Sequence, residues 1–356
     1  MTHRSTTPGA KPRRASHASA AGMLALMATL ACGDPPTAPE LERQSASADL
    51  AGWIGTLMLQ PWLAAAGPPV LVGAGDIARC YPASNPTNIT APPRTPAAAT
   101  ARLLDQIPGT VMAVGDNAYE YGSPIDYRLC YHPTWGRHRA RTRPAAGNHE
   151  YLTPGAAGYF TYFGAAAAPP GGYYSYDLGS WHVVVLNSTP QWAACPPPAT
   201  SPEDGERCVG DVPQRTWLIT DLADHGAACT VVYFHHPRYS SGKHGSQYEM
   251  QQFWDIMVAA GVDVVVSAHD HLYERFARQD QFGNAPETGG IRQFTVGTGG
   301  TDFYGVGPWG RIDNSEALIL NRYGVLALSL GEMGYGWAFV SAPDGAILDS
   351  GSDSCH

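Results

Sequence analysis

Residues 111–114 form an apolar run of strand type that stops at Gly115, with Asp116 and Tyr119 following three positions apart. In open α/β sheets, reacting groups gather beyond the carboxyl ends of strands, where loops are free to converge. A carboxylate there can bridge two metal ions, and a phenol three residues on can reach one of them. One Gly-Asp-x-x-Tyr segment is also what an ordinary turn after a strand looks like. The constraint comes from repetition, because several strand-like runs of this chain end in a side chain able to hold a metal.

Residues 70–72 are a buried-strand run ending at Gly75-Asp76. Thr95 and Pro96 then open a helix over residues 97–107, with a good N-cap and a proline in its first turn. The strand at 111–114 follows, so the first unit reads as βαβ and the sheet core as parallel. After another loop come Gly147-Asn148-His149-Glu150. Residues 173–176 and 181–186 read as paired strands, and His182 inside them as a packed histidine. Residues 213–225 fit a helix, and the strand at 229–234 runs straight into His235-His236-Pro237. Ser246 with Glu249 has the capping-box spacing for a helix that Gly261 ends. The strand at 262–267 leads into His269-Asp270-His271. From residue 291 onward the pattern turns to short strands, at 293–296, 325–330 and 337–340. No internal repeat is visible.

The net charge of −9 argues against a nucleic-acid-binding surface, since phosphate contacts need clustered Lys and Arg and the body has no such cluster. An anionic substrate would need local positive charge, and metal ions are the obvious source.

The N-terminus reads as an export signal, residues 1–32. Arg4, Lys11, Arg13 and Arg14 precede an apolar stretch, 20–31, too short to span a bilayer. Thr29-Leu30-Ala31-Cys32 resembles a bacterial lipoprotein cleavage box, which would lipidate Cys32 and attach the chain to a membrane. Ordinary signal-peptidase cleavage is the competing reading, since Thr29 stands where such boxes usually carry Leu. Residues 33–66 are expected to be a tether followed by a short apolar helix (50–66) docking on the body. That span is too short for a β-sandwich module, which needs roughly 100 residues. Residues 67–356 form the expected catalytic domain. Six cysteines besides Cys32 suggest disulfides in an exported chain. Cys195 with Cys208 is the easiest pair to believe, Cys80 with Cys130 is plausible, and Cys229 with Cys355 follows by elimination.

Five strand or loop ends thus carry metal-capable groups: Asp76, Asp116 with Tyr119, Asn148 with His149, His235, and His269 with His271. Carboxylate, imidazole and amide oxygen together suit a hard or borderline ion such as iron, zinc or manganese. Residues 269 and 271 project to one side of an extended chain. Singly, an Asp after Gly is usually a turn and a His at a strand end is usually just hydrogen-bonded. Five such ends in this order are another matter.

The series Gly75-Asp76, Gly115-Asp116 to Tyr119, Gly147-Asn148-His149-Glu150, His235-x-Pro237 and His269-Asp270-His271 resembles the calcineurin-like metallophosphoesterases. Tyr119, with the run from His269 to Arg275, is similar to the purple acid phosphatase branch. The resemblance covers residues 70 to about 300 and implies a four-layer αββα sandwich of two mixed β-sheets with flanking helices. It implies one ion on Asp76, Asp116, Tyr119 and His271, and another on Asp116, Asn148, His235 and His269, with Asp116 bridging. A tyrosine ligand implies Fe(III) with a divalent iron, zinc or manganese partner. The implied activity is hydrolysis of phosphate monoesters of a small substrate by a metal-activated hydroxide. Phosphodiester hydrolysis on the same fold is the alternative, and a non-catalytic metal-binding surface lipoprotein a third reading. His149 would contact the phosphate or protonate the leaving alcohol. His244 matches the second substrate-side histidine more loosely, an exposed loop histidine without a role being the bland alternative. His236 could serve instead, although support of the metal ligands is its preferred reading. Lys243 and Arg238 would add charge near the substrate or simply be solvated. Ala268, where many relatives have Gly, leaves ligation undisturbed.

Overall fold

The computed structural model of the chain describes residues 67–81, 95–193 and 211–356. The expected export signal with Cys32, the expected docking segment 50–66 and the loop with Cys195 and Cys208 lie outside these residues.

A six-stranded sheet contains β1 (Val70–Ala74), β2 (Thr110–Val114), β3 (Thr142–Ala145), β11 (Gly324–Leu330), β12 (Gly334–Ser341) and β13 (Ile347–Ser354). Their order is β13-β12-β11-β1-β2-β3, with β1, β2 and β3 parallel and the rest antiparallel. A seven-stranded sheet contains β4 (Tyr174–Leu178), β5 (Trp181–Val185), β6 (Cys229–Tyr233), β7 (Val264–Ser267), β8 (Tyr273–Gln279), β9 (Ile291–Val296) and β10 (Ser315–Ile319). It runs β10-β8-β9-β7-β6-β5-β4, with β5, β6, β7 and β9 parallel. Both sheets are therefore mixed, as expected.

The strands alternate between two cores. Val183, Val231 and Val264 face the core shared with Leu71, Met112 and Leu326 of the other sheet. Their neighbours Val184, Val232 and Val265 face outward onto Leu218, Phe253, Trp254 and Met257. Those last four sit on two helices, α2 (Val212–Asp224) and α3 (Gln251–Ala259). Strands buried on both faces favour apolar side chains throughout, which is why these runs are rich in Val. The crossover helix α1 (Pro96–Gln106) starts where Thr95 accepts the Ala98 amide, 3.3 Å away, with Pro96 in its first turn. It buries Ala97, Ala101 and Leu104 in the hydrophobic core. Disulfides join Cys80 to Cys130 and Cys229 to Cys355, the pairs expected. His182 is packed, its Nε2 2.8 Å from Asp221.

One local expectation fails. Ser246 does not cap a helix: its hydroxyl accepts from the Ser240 amide (3.2 Å), and a short 3₁₀ turn, Tyr248–Met250, leads into α3 without a side-chain cap. The serine closes the loop that carries His244, so it is spent before the helix begins.

Candidate metal centre

The expected donors converge at one edge of the two sheets, each delivered by a strand or loop end. Asp76 follows β1, Asp116 and Tyr119 follow β2, Asn148 and His149 follow β3, His235 follows β6, and His269 and His271 follow β7. Three of them turn sharply, with φ of 56° at Asp76, 46° at Asp116 and 67° at His269. Left-handed backbone at a residue with a side chain costs roughly 1–3 kcal/mol and persists only where the surroundings impose it. Glycines make the room. A Cβ on Gly115 would lie 2.6 Å from the His235 ring, and one on Gly147 would lie 2.3 Å from Asp116 Oδ1.

The two carboxylates divide their oxygens between backbone and cavity. Asp76 Oδ2 accepts the His269 amide and Asp116 Oδ1 accepts the His149 amide, each at 2.8 Å. Asp76 Oδ1 is 2.6 Å from the Tyr119 hydroxyl and 3.2 Å from His271 Nε2. Asp116 Oδ2 is 3.1 Å from the same hydroxyl and 3.2 Å from His235 Nε2, so it stands between the two halves of the cluster. Ligand atoms of Asp116, His235 and His269 lie within 4.8 Å of one another. The histidines are oriented from behind. His235 Nδ1 donates to the Val114 carbonyl (3.0 Å) and His271 Nδ1 to the Asp302 carbonyl (2.5 Å). A carbonyl only accepts, so these bonds turn each Nε2 to the cavity, as in metal-ligating histidines. His235 Nε2 and Asn148 Oδ1 are buried without a hydrogen-bond partner. Buried polar atoms without partners, beside carboxylates, a phenol and imidazoles, fit a hard or borderline cation.

Electrostatics mark the same spot. Burial opposes a charged His235, yet the Asp116 carboxylate outweighs it and raises the imidazole to about 9. His269 goes the other way, pushed well down by burial and by His236, His235 and His244. Burial, then Asp116 and Asp76, hold the Tyr119 phenol well above its usual range, so it donates to Asp76. Strong opposed shifts in one cavity are a functional-site signature.

Around the donors, His149 is half-buried, its Nδ1 2.6 Å from the Glu120 carbonyl and its ring 4.4 Å from that of Tyr119. His244 is exposed, with its ring 4.5 Å from that of His269. His236 is fully buried between His235 and His269 and bonds Ser188 Oγ at 2.8 Å. That position supports the ligands and presents no open face to a substrate. Arg238 is buried too, bonded to Gln251 and packed on Tyr239 and Tyr248, which corrects its expected place near the substrate.

Four residues escaped the sequence reading. Tyr304 stacks on His271 with centroids 3.8 Å apart. Arg79 lies over Tyr119 and pairs with Glu120 and Asp302. Asp270 holds the Ser240 hydroxyl (2.5 Å) and the His244 amide (2.8 Å). Glu150 accepts from Gly147, Asn117 and Tyr127. Both acids sit inside quoted motifs, which was the one available signal.

Comparison with known proteins agrees with this geometry. The chain is 32% identical over 134 residues to purple acid phosphatase 22 of Arabidopsis thaliana, covering 36% of this chain and 27% of that protein. It is 28% identical over 238 residues to purple acid phosphatase 23 of the same plant, covering 56% and 48%. The matched part is thus under half of either relative. Among solved structures, purple acid phosphatase PPD1 of yellow lupin superposes with a TM-score of 0.60 at 19% identity, covering 83% of this chain and 55% of that one. GAP50, the anchor in the inner membrane complex of Plasmodium, superposes at 0.55 with 14% identity, covering 82% and 90%. The calcineurin-like phosphoesterase model matches residues 94–273, half of the chain, and with the strand-end donors in place the chain belongs to that family.

Proposed function

We propose that the chain is a binuclear, metal-dependent phosphatase that hydrolyses phosphate monoesters. The observation that carries this reading is the split use of Asp116, one oxygen on the His149 amide and the other between Tyr119 and His235. Asp76, Asp116, Tyr119 and His271 would hold one ion, and Asp116, Asn148, His235 and His269 the other. A phenol buried between two carboxylates gives up its proton only to a strong Lewis acid, which favours Fe(III) at the tyrosine side with divalent iron, zinc or manganese at the other. Bound there, a pair of ions supplies a hydroxide nucleophile near neutral pH and neutralises phosphoryl charge.

The chain's own residues do the rest. His149 donates Nδ1–H to the Glu120 carbonyl, which leaves Nε2 as the atom that contacts a phosphoryl oxygen or hands a proton to the leaving alcohol. His244 faces the donors from the opposite loop, with its amide fixed by Asp270. Two disulfides support export to an oxidising compartment. Attachment through a lipidated Cys32 is part of the same proposal. Among the described residues, no helix is long and apolar enough to cross a membrane.

The test is metal analysis and monoester and diester panels on the purified protein. About two metals per chain and faster monoester cleavage are expected, with His149→Asn lowering kcat roughly 10²- to 10⁴-fold at unchanged metal content. Preferred diester cleavage would move the reading to a phosphodiesterase. Absence of both metal and hydrolysis after reconstitution would leave a non-catalytic binding protein.

A further inference from the structure

We infer that the cavity beside His244 receives the organic part of the substrate, and that Trp309 is the shelf on which a planar ring of the leaving group stacks. This rests on the phosphatase reading and adds the substrate class to it. The cavity holds about 260 Å³ and is lined by His244, Gly245, Ser246, Tyr248, Trp309 and Ile312. His244 belongs to both places, since its ring lies 4.5 Å from that of His269 and the residue also lines the cavity. Space of this size suits one ring system and excludes a folded partner.

Trp309 is built into position. The Gly242–Val306 bridge and the bond from the Gly307 amide to the Ser241 carbonyl (2.9 Å) clamp its loop onto the His244 loop. The indole lies against two glycines: a Cβ on Gly307 would sit 2.3 Å from its Cε2, and one on Gly245 2.6 Å from its Cζ2. Even so, Trp309 remains 49% exposed. Scattered exposed aromatics are ordinary on protein surfaces. A ring fixed by glycine backbone at the rim of a donor cluster, with a cavity beside it, is a stacking platform. Tyr304 extends the rim, its ring 5.1 Å from that of His244 and 4.5 Å beneath Lys243 Nζ. The shared chemistry is a π face, found either in an aryl phosphate or, beyond a sugar, in a nucleoside monophosphate.

Trp309→Ala and Trp309→Phe, in the metal-loaded full chain, test this with 4-nitrophenyl phosphate, adenosine 5′-monophosphate and glycerol phosphate. Trp309→Ala should lower kcat/KM for a ring-bearing ester by about 5- to 100-fold through KM, the range that base–aromatic stacking spans. Glycerol phosphate should change less than about twofold, and Phe should restore most of the loss. A loss confined to the aryl ester or to the nucleotide identifies the source. Binding supplies a second readout, since tryptophan quenching by adenosine 5′-monophosphate should disappear in the Ala variant. Equal losses on all three esters, or none, would overturn the proposal. If the wild type hydrolyses no ester, the phosphatase reading fails separately and the quenching decides: quenching that survives Trp309→Ala, or is absent from wild type, overturns the shelf.

Discussion

Glu150 offers the sharpest test of how the site is held. Its carboxylate is fully buried, with Oε2 accepting from the Gly147 amide at 2.8 Å and Oε1 from the Asn117 amide at 2.9 Å and the Tyr127 hydroxyl at 3.1 Å. It thereby ties the loop after β2, which carries Asp116 and Tyr119, to the loop after β3, which carries Asn148 and His149. Glu150→Ala strands two buried amides and a phenol. At about 1–3 kcal/mol for each unsatisfied group, with partial relaxation, the loss is roughly 3–5 kcal/mol. Glu150→Gln keeps the acceptor at Oε1 and loses the one at Gly147, about 1–2 kcal/mol. A domain of this size shifts about 2–4 °C per kcal/mol, so Ala should lower Tm by roughly 6–20 °C. Guanidinium and thermal unfolding in chelator read this out, because bound ions would otherwise add stability by mass action. Burial, then the Asp116 charge, raise the Glu150 pKa from 4.5 to about 7. The folded value is the higher one, so its contribution is fully present below about pH 4.5 and lost as the pH rises through about 7. The Gln variant should lack that slope. An Ala variant within about 0.5 kcal/mol of wild type, where surface changes usually fall, would refute the tie between the loops.

Further outcomes follow from other contacts. Gly147→Ala puts a Cβ 2.3 Å from Asp116 Oδ1, so metal analysis after gel filtration should show at least one ion lost from a chain with unchanged circular dichroism. Tyr119→Phe removes the phenol between Asp76 and Asp116 and should abolish any violet to pink absorption of the metal-loaded protein. Asp349 accepts from Tyr273 (2.7 Å) and from Arg275 Nε (2.8 Å), and Asp349→Ala should cost roughly 2–3 kcal/mol in urea unfolding. Burial would raise the Asp349 carboxyl, but the Arg275 and Tyr273 hydrogen bonds win and hold it below 3.8. Its contribution is therefore present above pH 3.8 and lost as the pH falls through the lower folded value, a loss the Ala variant should not show. Cys229→Ser with Cys355→Ser opens a loop spanning 126 positions and should cost about 2–4 kcal/mol by calorimetry.

The parts of the fold that could be read from sequence were those where burial imposes a pattern. β5, β6 and β7 are buried on both faces and spell runs of Val, and α1 announces itself through Thr95 and Pro96. β8 and β13 were missed because their sequences look like surface. Glu274 and Arg275 interrupt β8, yet Arg275 is neutralised by Asp349 of β13 in the other sheet. β13 itself alternates half-buried with exposed residues through Ser, Asp and Gly, and only its pairing with β12 makes it a strand. The same division holds at the site. The donors stood out because their residue types announce chemistry at strand ends. Tyr304, Arg79 and Trp309 did not, because nothing in their sequence neighbourhood says which loop they face.

The donors also explain why strain collects here. Asp76, Asp116 and His269 hold left-handed backbone with ordinary side chains, and each strained turn is bound to another donor's strand end. The His269 amide bonds Asp76, and the His149 amide bonds Asp116. One oxygen of each carboxylate thus fixes a neighbouring strand end while the other enters the cavity. Asp76 thereby ties β1 of one sheet to β7 of the other, while Asp116 ties β2 to β3 within the six-stranded sheet. A change at Asp76 should therefore loosen the inter-sheet edge as well as the metal. Asp76→Ala should show faster hydrogen exchange at the His269 amide than Tyr119→Phe, which removes a donor from the same cavity but leaves that bond in place.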